Sequence, residues 1–295
     1  MTPRPSIDAR HPKRSLGQNF LVDPRIADRI VAAVPIEPDD VTVEIGPGRG
    51  ALTGRLLERA SRLVVIELDD ALAAHWEERA AQDPRLDVVH ADALTVPLAG
   101  IADPDRLIVV GNIPYNITTP LLFHVLSRPR PRAVVVMVQR EVADRIRAAS
   151  GSKTYGALSV GVQAVADVER VLDVPAGAFR PRPNVESTVL RITPHRPPRL
   201  SAREEVGLRV LVRAAFQWRR KQMVKVLREH PDLALGAAAS HVLDAVGLPP
   251  EARPDQVEPG RWVALVRALL EQDEPWGVTF RRALDRDLQS PASST

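Results

Sequence analysis

The chain has 295 residues, 44% hydrophobic and 26% charged, with a formal net charge of +3, no Cys and only 11 aromatic residues. That composition excludes disulfides, thiol nucleophiles and thiolate metal sites, and the length suits about two domains. No stretch approaches the roughly 18 apolar residues of a membrane span. Met1 to Lys13 lacks the apolar centre of a signal peptide, so the expectation is a cytoplasmic protein without membrane association.

From Val41 onward, short β-branched runs alternate with helix-like segments. The runs are Val41 to Ile45, Leu63 to Ile66, Leu86 to Val89, Leu107 to Val110 and Ala133 to Val138. Nearly continuous apolar runs suit strands covered on both faces, and their alternation with helices predicts a parallel α/β sheet. Two further strands are expected around Val168 to Val174 and Ser187 to Ile192. The segment from Thr193 holds three prolines in six residues and reads as a linker to about residue 201. Helical patterns follow at Ala202 to Phe216, Lys221 to Glu229, Ser240 to Val246 and Arg261 to Gln272. The expected architecture is therefore an α/β domain over 1–192, a linker over 193–201, a small helical domain over 202–275 and a tail over 276–295, frayed at its end.

The first of these strands ends in Gly46-Pro47-Gly48-Arg49-Gly50 before a helix-like segment. Glycines between strand and helix let a ligand approach the backbone at the carboxyl edge of a sheet. Glu67 ends the second strand at the distance where an acid meets a ribose, with Leu68 beside it. These features indicate a nucleoside cofactor, although a dinucleotide site shares them. Asp92, with Ala93, follows the third strand at the same edge. Its carboxylate suits the exocyclic amine of adenine, while as a lone feature it is an ordinary helix cap.

The fourth strand ends in Asn112-Ile113-Pro114-Tyr115. The Asn112 side-chain oxygen and a Pro114 carbonyl freed by the turn would accept hydrogen bonds from a planar amine, while the Tyr115 ring stacks on its base. Taken in order and spacing, the glycine turn, Glu67, Asp92 and Asn112 to Tyr115 resemble the S-adenosylmethionine-dependent rRNA adenine N6-dimethyltransferases.

The resemblance covers nearly the whole chain and implies a Rossmann-like class I methyltransferase sheet. Arg14 to Leu21 is similar to the family's N-terminal segment, which places Gln18, Asn19 and Leu21 at the cofactor and assigns 1–40 to cofactor and RNA contacts. Gly151 to Gly156 and Ala178 to Ser187 resemble later family motifs, and the second implies Phe179 facing Tyr115 across the target adenine. Asn184 stands where the family has a basic residue, and Glu186 where Asp is common. Phe216-x-x-Arg219-Arg220-Lys221 and the tyrosine-containing loop favour the small-subunit members. Their implied substrate is two adjacent adenosines in the 3′-terminal hairpin loop of 16S rRNA, in a pre-ribosomal 30S particle, and the enzyme is expected to act as a monomer. The macrolide-resistance enzymes of 23S rRNA are the near alternative; a non-enzymatic ribosome-assembly factor and an NAD-dependent dehydrogenase are more remote.

Charge adds a partner surface. Between Arg196 and His230 ten Lys or Arg stand against three Glu, a local balance of +7. Within it Arg219, Arg220, Lys221, Lys225 and Arg228 are expected to hold the rRNA backbone. No histidine spacing suggests a metal site. Of the few aromatics, Phe20, Tyr115 and Phe179 fall in nucleoside motifs, and Phe216 and Trp218 precede the basic run, so nucleoside recognition is the expected use for several of them.

Overall fold

The computed structural model describes residues 18–271 and 277–289. The N-terminal motif up to Gly17 and the end of the chain beyond residue 289 lie outside the described residues.

In chain order the elements are β1 (Phe20–Leu21), α1 (Pro24–Ala32), β2 (Val41–Ile45), α2 (Thr53–Leu57), β3 (Arg62–Glu67), α3 (Asp70–Ala80), β4 (Leu86–His90), β5 (Leu107–Asn112), α4 (Thr118–Val125), β6 (Ala133–Gln139), α5 (Arg140–Ile146), α6 (Ala157–Gln163), β7 (Ala166–Val174), β8 (Phe179–Arg180), β9 (Ser187–Pro194), α7 (Ala202–Gln217), α8 (Met223–Glu229), α9 (Ala238–Ala245), α10 (Pro259–Glu271) and α11 (Gly277–Gln289). Helix starts follow local chemistry. The Asp23 carboxylate accepts from the Arg25 and Ile26 amides ahead of α1, with Pro24 at the first position. Asp69 caps α3 in the same way, and Ser201 with Glu204 forms a capping box on α7. Each cap satisfies amides that have no partner within the helix.

Seven strands form one sheet in the order β4-β3-β2-β5-β6-β9-β7. The pairs β4–β3, β3–β2, β2–β5 and β5–β6 are parallel, and β9 runs antiparallel to β6. The chain winds outward from β2 through β3 to β4, then returns to β5 and β6 on the other side. The carboxyl ends of β2 and β5 flank the point of reversal, where doubly wound sheets bind ligands. A two-stranded antiparallel pair, β1 with β8, brings Leu21 opposite Phe179. No helix among the described residues is long and apolar enough to cross a membrane.

The chain divides into two compact units, 1–143 with 168–194, and 144–167 with 195–295. This differs from the boundary expected at 192, because 144–167 packs with the helical part. Tyr155, Val160 and Ala164 are buried in one cluster with Leu211, Val226, Trp262 and Leu265, and the Tyr155 hydroxyl donates to the Val257 carbonyl at 2.7 Å. The tail assignment also changes, since 277–289 is helical. Phe280, Ala283 and Leu284 are buried in the same cluster or against it, and their i, i+3, i+4 spacing puts them on one face of α11. Phe216 and Trp218, which precede the basic run, pack against this core. Phe216 lies 5.9 Å from Trp262 and 6.2 Å from Tyr155, and Trp218 meets His230 edge-on at 5.1 Å.

Candidate active site

A cleft of about 1170 Å³, counted with its open mouth, lies at the carboxyl ends of β2 to β5 and is walled by residues 18–21. Of the expected site residues, Gln18, Asn19, Leu21, Gly46, Gly48, Glu67, Leu68, Asp92, Ala93, Asn112, Pro114 and Tyr115 all line it.

The glycine turn adopts backbone that L side chains resist, with φ of +66° at Gly46, +53° at Gly48 and +85° at Gly50. A Cβ at Gly48 would stand 3.1 Å from the Phe20 ring, and one at Gly50 would stand 2.6 Å from Trp76. Trp76 of α3 fixes the turn by donating its indole N–H to the Gly48 carbonyl at 3.1 Å. Arg49 lies over the Phe20 ring at 4.5 Å, a cation–π contact that fastens the N-terminal strap to the turn.

Two carboxylates face the cleft from β2 and β3. Glu67 accepts from the Gly48 amide at 3.2 Å and the Asp69 amide at 2.9 Å, and burial pushes its carboxyl up despite these bonds. Glu44 is 2% exposed, and its Oε2 has no hydrogen-bond partner among the described residues. Burial first, and then the charge of Glu67, push Glu44 up to about 8, with the Thr53 hydroxyl opposing. Sequence reasoning missed Glu44, although an acid inside the apolar run Val41 to Ile45 was a signal: a buried carboxylate needs a partner. The site residues fit a cationic nucleoside ligand in two respects, a buried carboxylate with one oxygen unpartnered among the described residues and a glycine cradle that side chains would fill.

Asp92 serves as cap and wall together. Its Oδ1 accepts from the Leu94 amide at 2.9 Å, while no hydrogen bond to Oδ2 occurs among the described residues. Leu68, an exposed large apolar side chain at 48%, stands at the rim beside Glu67.

The Asn112 NH2 donates to the Asn19 carbonyl at 3.0 Å. A carbonyl accepts only from the nitrogen end of an amide, so this bond fixes the amide orientation and leaves Oδ1 as an acceptor. The Pro114 carbonyl is not free as expected. It accepts from the Ile117 amide at 3.2 Å and the Thr118 hydroxyl at 3.1 Å, because the turn continues directly into a 3-10 turn and α4. The Thr118 hydroxyl must yield if a substrate amine is to bond there. Tyr115 is half-buried and its hydroxyl meets the Ser187 hydroxyl at 2.9 Å. Phe179 differs most from expectation. It is 1% exposed, lies in the apolar core with Ile26, Ile30 and Val189, and does not line the cleft. Its pairing with Leu21 places it behind a cleft wall.

In the helical unit the five expected RNA contacts separate. Arg219 reaches the carbonyls of Lys153 at 2.8 Å and Ser152 at 3.4 Å, and Asp255 at 3.5 Å, so it holds the loop before α6. Lys225 and Arg228 both meet Glu229, at 3.7 and 3.0 Å. Arg220 and Lys221 are exposed, and their side chains make no ion pair or hydrogen bond among the described residues; the Lys221 backbone amide donates to the Trp218 carbonyl at 2.7 Å.

The comparisons agree with this geometry. The family model "Ribosomal RNA adenine dimethylase" matches residues 9–251. Proteins named "Ribosomal RNA small subunit methyltransferase A" are similar in sequence: one from Xanthomonas campestris pv. campestris (strain B100) is 40% identical over 259 residues, covering 88% of this chain and 96% of that one. One from Geobacter metallireducens is 39% identical, covering 88% and 95%. Among solved structures, a dimethyladenosine transferase from Plasmodium falciparum superposes with a TM-score of 0.73 at 26% identity, covering 85% of this chain and 96% of that one. The 23S rRNA methyltransferase ErmE superposes at 0.67 and 27%, covering 86% and 100%. The sheet is thus that of a Rossmann-like class I methyltransferase, and the chain belongs to the ribosomal RNA adenine dimethylase family.

Proposed function

We propose that this protein transfers methyl groups from S-adenosylmethionine to N6 of two adjacent adenosines in the 3′-terminal hairpin loop of small-subunit rRNA, acting as a monomer on a partly assembled cytoplasmic small subunit. The observation that carries the reading is the Asn112–Tyr115 turn, which opens into the same cleft as Glu67 and Asp92. One pocket thereby joins groups for a nucleoside cofactor to groups for a planar amine.

When bound, S-adenosylmethionine supplies an electrophilic methyl on a cationic sulfur. The chain's work is alignment and exclusion of water. Glu67 is placed to accept from ribose hydroxyls and Asp92 Oδ2 from the adenine amine of the cofactor, with Leu68 and Ala93 against its ring. Gln18, Asn19 and Leu21 close the cleft, and Gly46 and Gly48 allow close approach to the turn. Asn112 Oδ1, held outward by the bond to Asn19, accepts from the target N6 amine and aims its lone pair at the methyl; the displaced proton passes to solvent. Tyr115 stacks on the extruded base, which leaves its own stack most readily in an unpaired loop. Phe179 enters this role only if the wall formed by β1 and β8 moves. Arg220 and Lys221, with Lys225 and Arg228 sharing Glu229, form the phosphate-facing surface, and Arg219 supports it by holding the loop at Ser152 and Lys153.

The likeness to ErmE leaves modification of 23S rRNA as the second reading, while identities of 39–40% to small-subunit relatives support the first. The deciding experiment supplies labelled S-adenosylmethionine to under-methylated small subunits and, separately, to large-subunit rRNA, then maps the modified residues. Two dimethylated adjacent adenosines in the small-subunit rRNA are expected. Label confined to the large-subunit RNA would overturn the assignment.

A further inference from the structure

Tyr115 sits in a turn rather than in a strand or long helix, so its backbone alone does not fix the plane of its ring. The hydroxyl does have a fixed partner. Ser187, the first residue of β9, is fully buried, and its hydroxyl lies 2.9 Å from that of Tyr115. The backbone of Ser187 is held opposite Gln139 in the antiparallel β6–β9 ladder. Immediately before it, Glu186 accepts the Arg140 amide at 3.0 Å through its carbonyl and pairs with the Arg140 guanidinium at 2.6 Å through its carboxylate. A buried serine hydroxyl needs a partner, and among the described residues the phenol is the partner of the Ser187 hydroxyl.

We infer that Ser187 is a positioning residue for methyl transfer: from β9 it locks the Tyr115 ring in the plane that receives the target base. The inference rests on the reading of Tyr115 as the stacking residue. Asn112 ends β5 and Tyr115 lies in the turn just after it, but their supports differ. Asn112 is held from the N-terminal strap and Tyr115 from β9, so the acceptor and the stacking surface are aligned by two separate parts of the fold. A ring released from Ser187 keeps its stacking area but loses its fixed plane, which affects the turnover of bound substrate more than cofactor capture.

The chain has only two tyrosines, Tyr115 and Tyr155, which permits a direct test. Protein labelled with 3-fluorotyrosine should give two fluorine resonances, assigned by Tyr115→Phe. In Ser187→Ala the Tyr115 signal should shift and sharpen through faster ring motion, with the Tyr155 signal unmoved. In parallel, kcat and KM are measured for Ser187→Ala, Tyr115→Phe and the double variant. One lost hydrogen bond predicts a fall in kcat of up to about tenfold. That fall should be common to all three variants, with KM for S-adenosylmethionine unchanged. An unshifted Tyr115 resonance, or losses that multiply in the double variant, would overturn the inference. If Ser187→Ala misfolds, both resonances move, and Tyr115→Phe alone then decides: wild-type kcat in that variant overturns the role. If the wild-type protein transfers no methyl to RNA, the function reading fails instead, and the fluorine spectra still decide whether Ser187 holds the ring.

Discussion

Glu44 shows how a single buried carboxylate ties ligand binding to pH. Its carboxyl moves from 4.5 to about 8 in the folded chain, so between those values the native state keeps a proton that the unfolded state has lost. Its contribution therefore makes stability fall as pH rises through that window, by at most about 1.4 kcal/mol per pH unit for one proton. A cationic ligand prefers the ionised form. Glu67 and Asp92 line the cleft with it, Thr53 opposes its shift and Arg49 stands on the adjoining turn. Calorimetric affinity for S-adenosylmethionine should rise between pH 6 and 7.5, and Glu44→Gln should flatten the slope; a slope retained in that variant would assign the proton elsewhere. Asn112→Ala tests the other end of the cleft. By analogy with loss of one preorganised polar contact to a reacting group, kcat should fall by roughly 10²-fold. Cofactor affinity should change far less, as separate measurements of kcat and binding would show. Most of the residues that line the cleft were legible in the sequence because type and position coincide at strand ends. The occupied Pro114 carbonyl and the buried Phe179 were not, since hydrogen-bond partners and side-chain direction arise only when turns and strands pack.

The elements divide by length and pattern. β2, β3, β5 and β6 were legible as runs buried on both faces; β4 was legible as an apolar run too, but it is the edge strand and only Leu86 is buried. The structure extends these runs by no more than about two residues at either end. β1 and β8 were not, because two residues carry no period and the pair exists only through long-range contact. α11 was hidden for another reason: its apolar face is short, and strongly charged residues surround it. The glycine turn makes the strictest demand on a single element. At Gly50 a methyl group would need both a left-handed backbone and space now filled by Trp76 at 2.6 Å. Gly50→Ala should therefore displace Trp76 or the turn. The cost of such overpacking, about 1–3 kcal/mol, should appear as a weaker cofactor affinity, by about tenfold, and a changed tryptophan emission. Unchanged affinity together with unchanged emission would mean that the turn absorbs the methyl group without moving.

At the scale of the whole molecule, the chain leaves the sheet unit near residue 143, contributes 144–167 to the helical unit, and returns to complete the sheet before leaving again at 195. Composition shifts cannot reveal this, because the inserted segment is as apolar as the unit it departs. A chain ending at residue 194 should consequently expose the apolar faces of Tyr155, Val160 and Ala164, binding a hydrophobic dye and melting less cooperatively than the full chain. Clean, dye-free folding of that truncated chain would contradict the shared core. The same division separates cofactor chemistry from the basic run, and this makes their energetics independent on the function proposed above. Arg220→Glu with Lys221→Glu removes two charges that no described partner holds, and each phosphate contact contributes roughly 0.7–0.9 to the slope of log affinity against log salt. RNA binding followed from 50 to 200 mM salt should lose about 1.5 from that slope, while calorimetric affinity for S-adenosylmethionine stays as in the unmodified protein. Arg219→Ala should behave differently, lowering the melting temperature, because its guanidinium is held by the carbonyls of Ser152 and Lys153. If Arg219→Ala instead flattened the salt slope as much as the double reversal and left stability intact, its role would be phosphate binding rather than support of the loop.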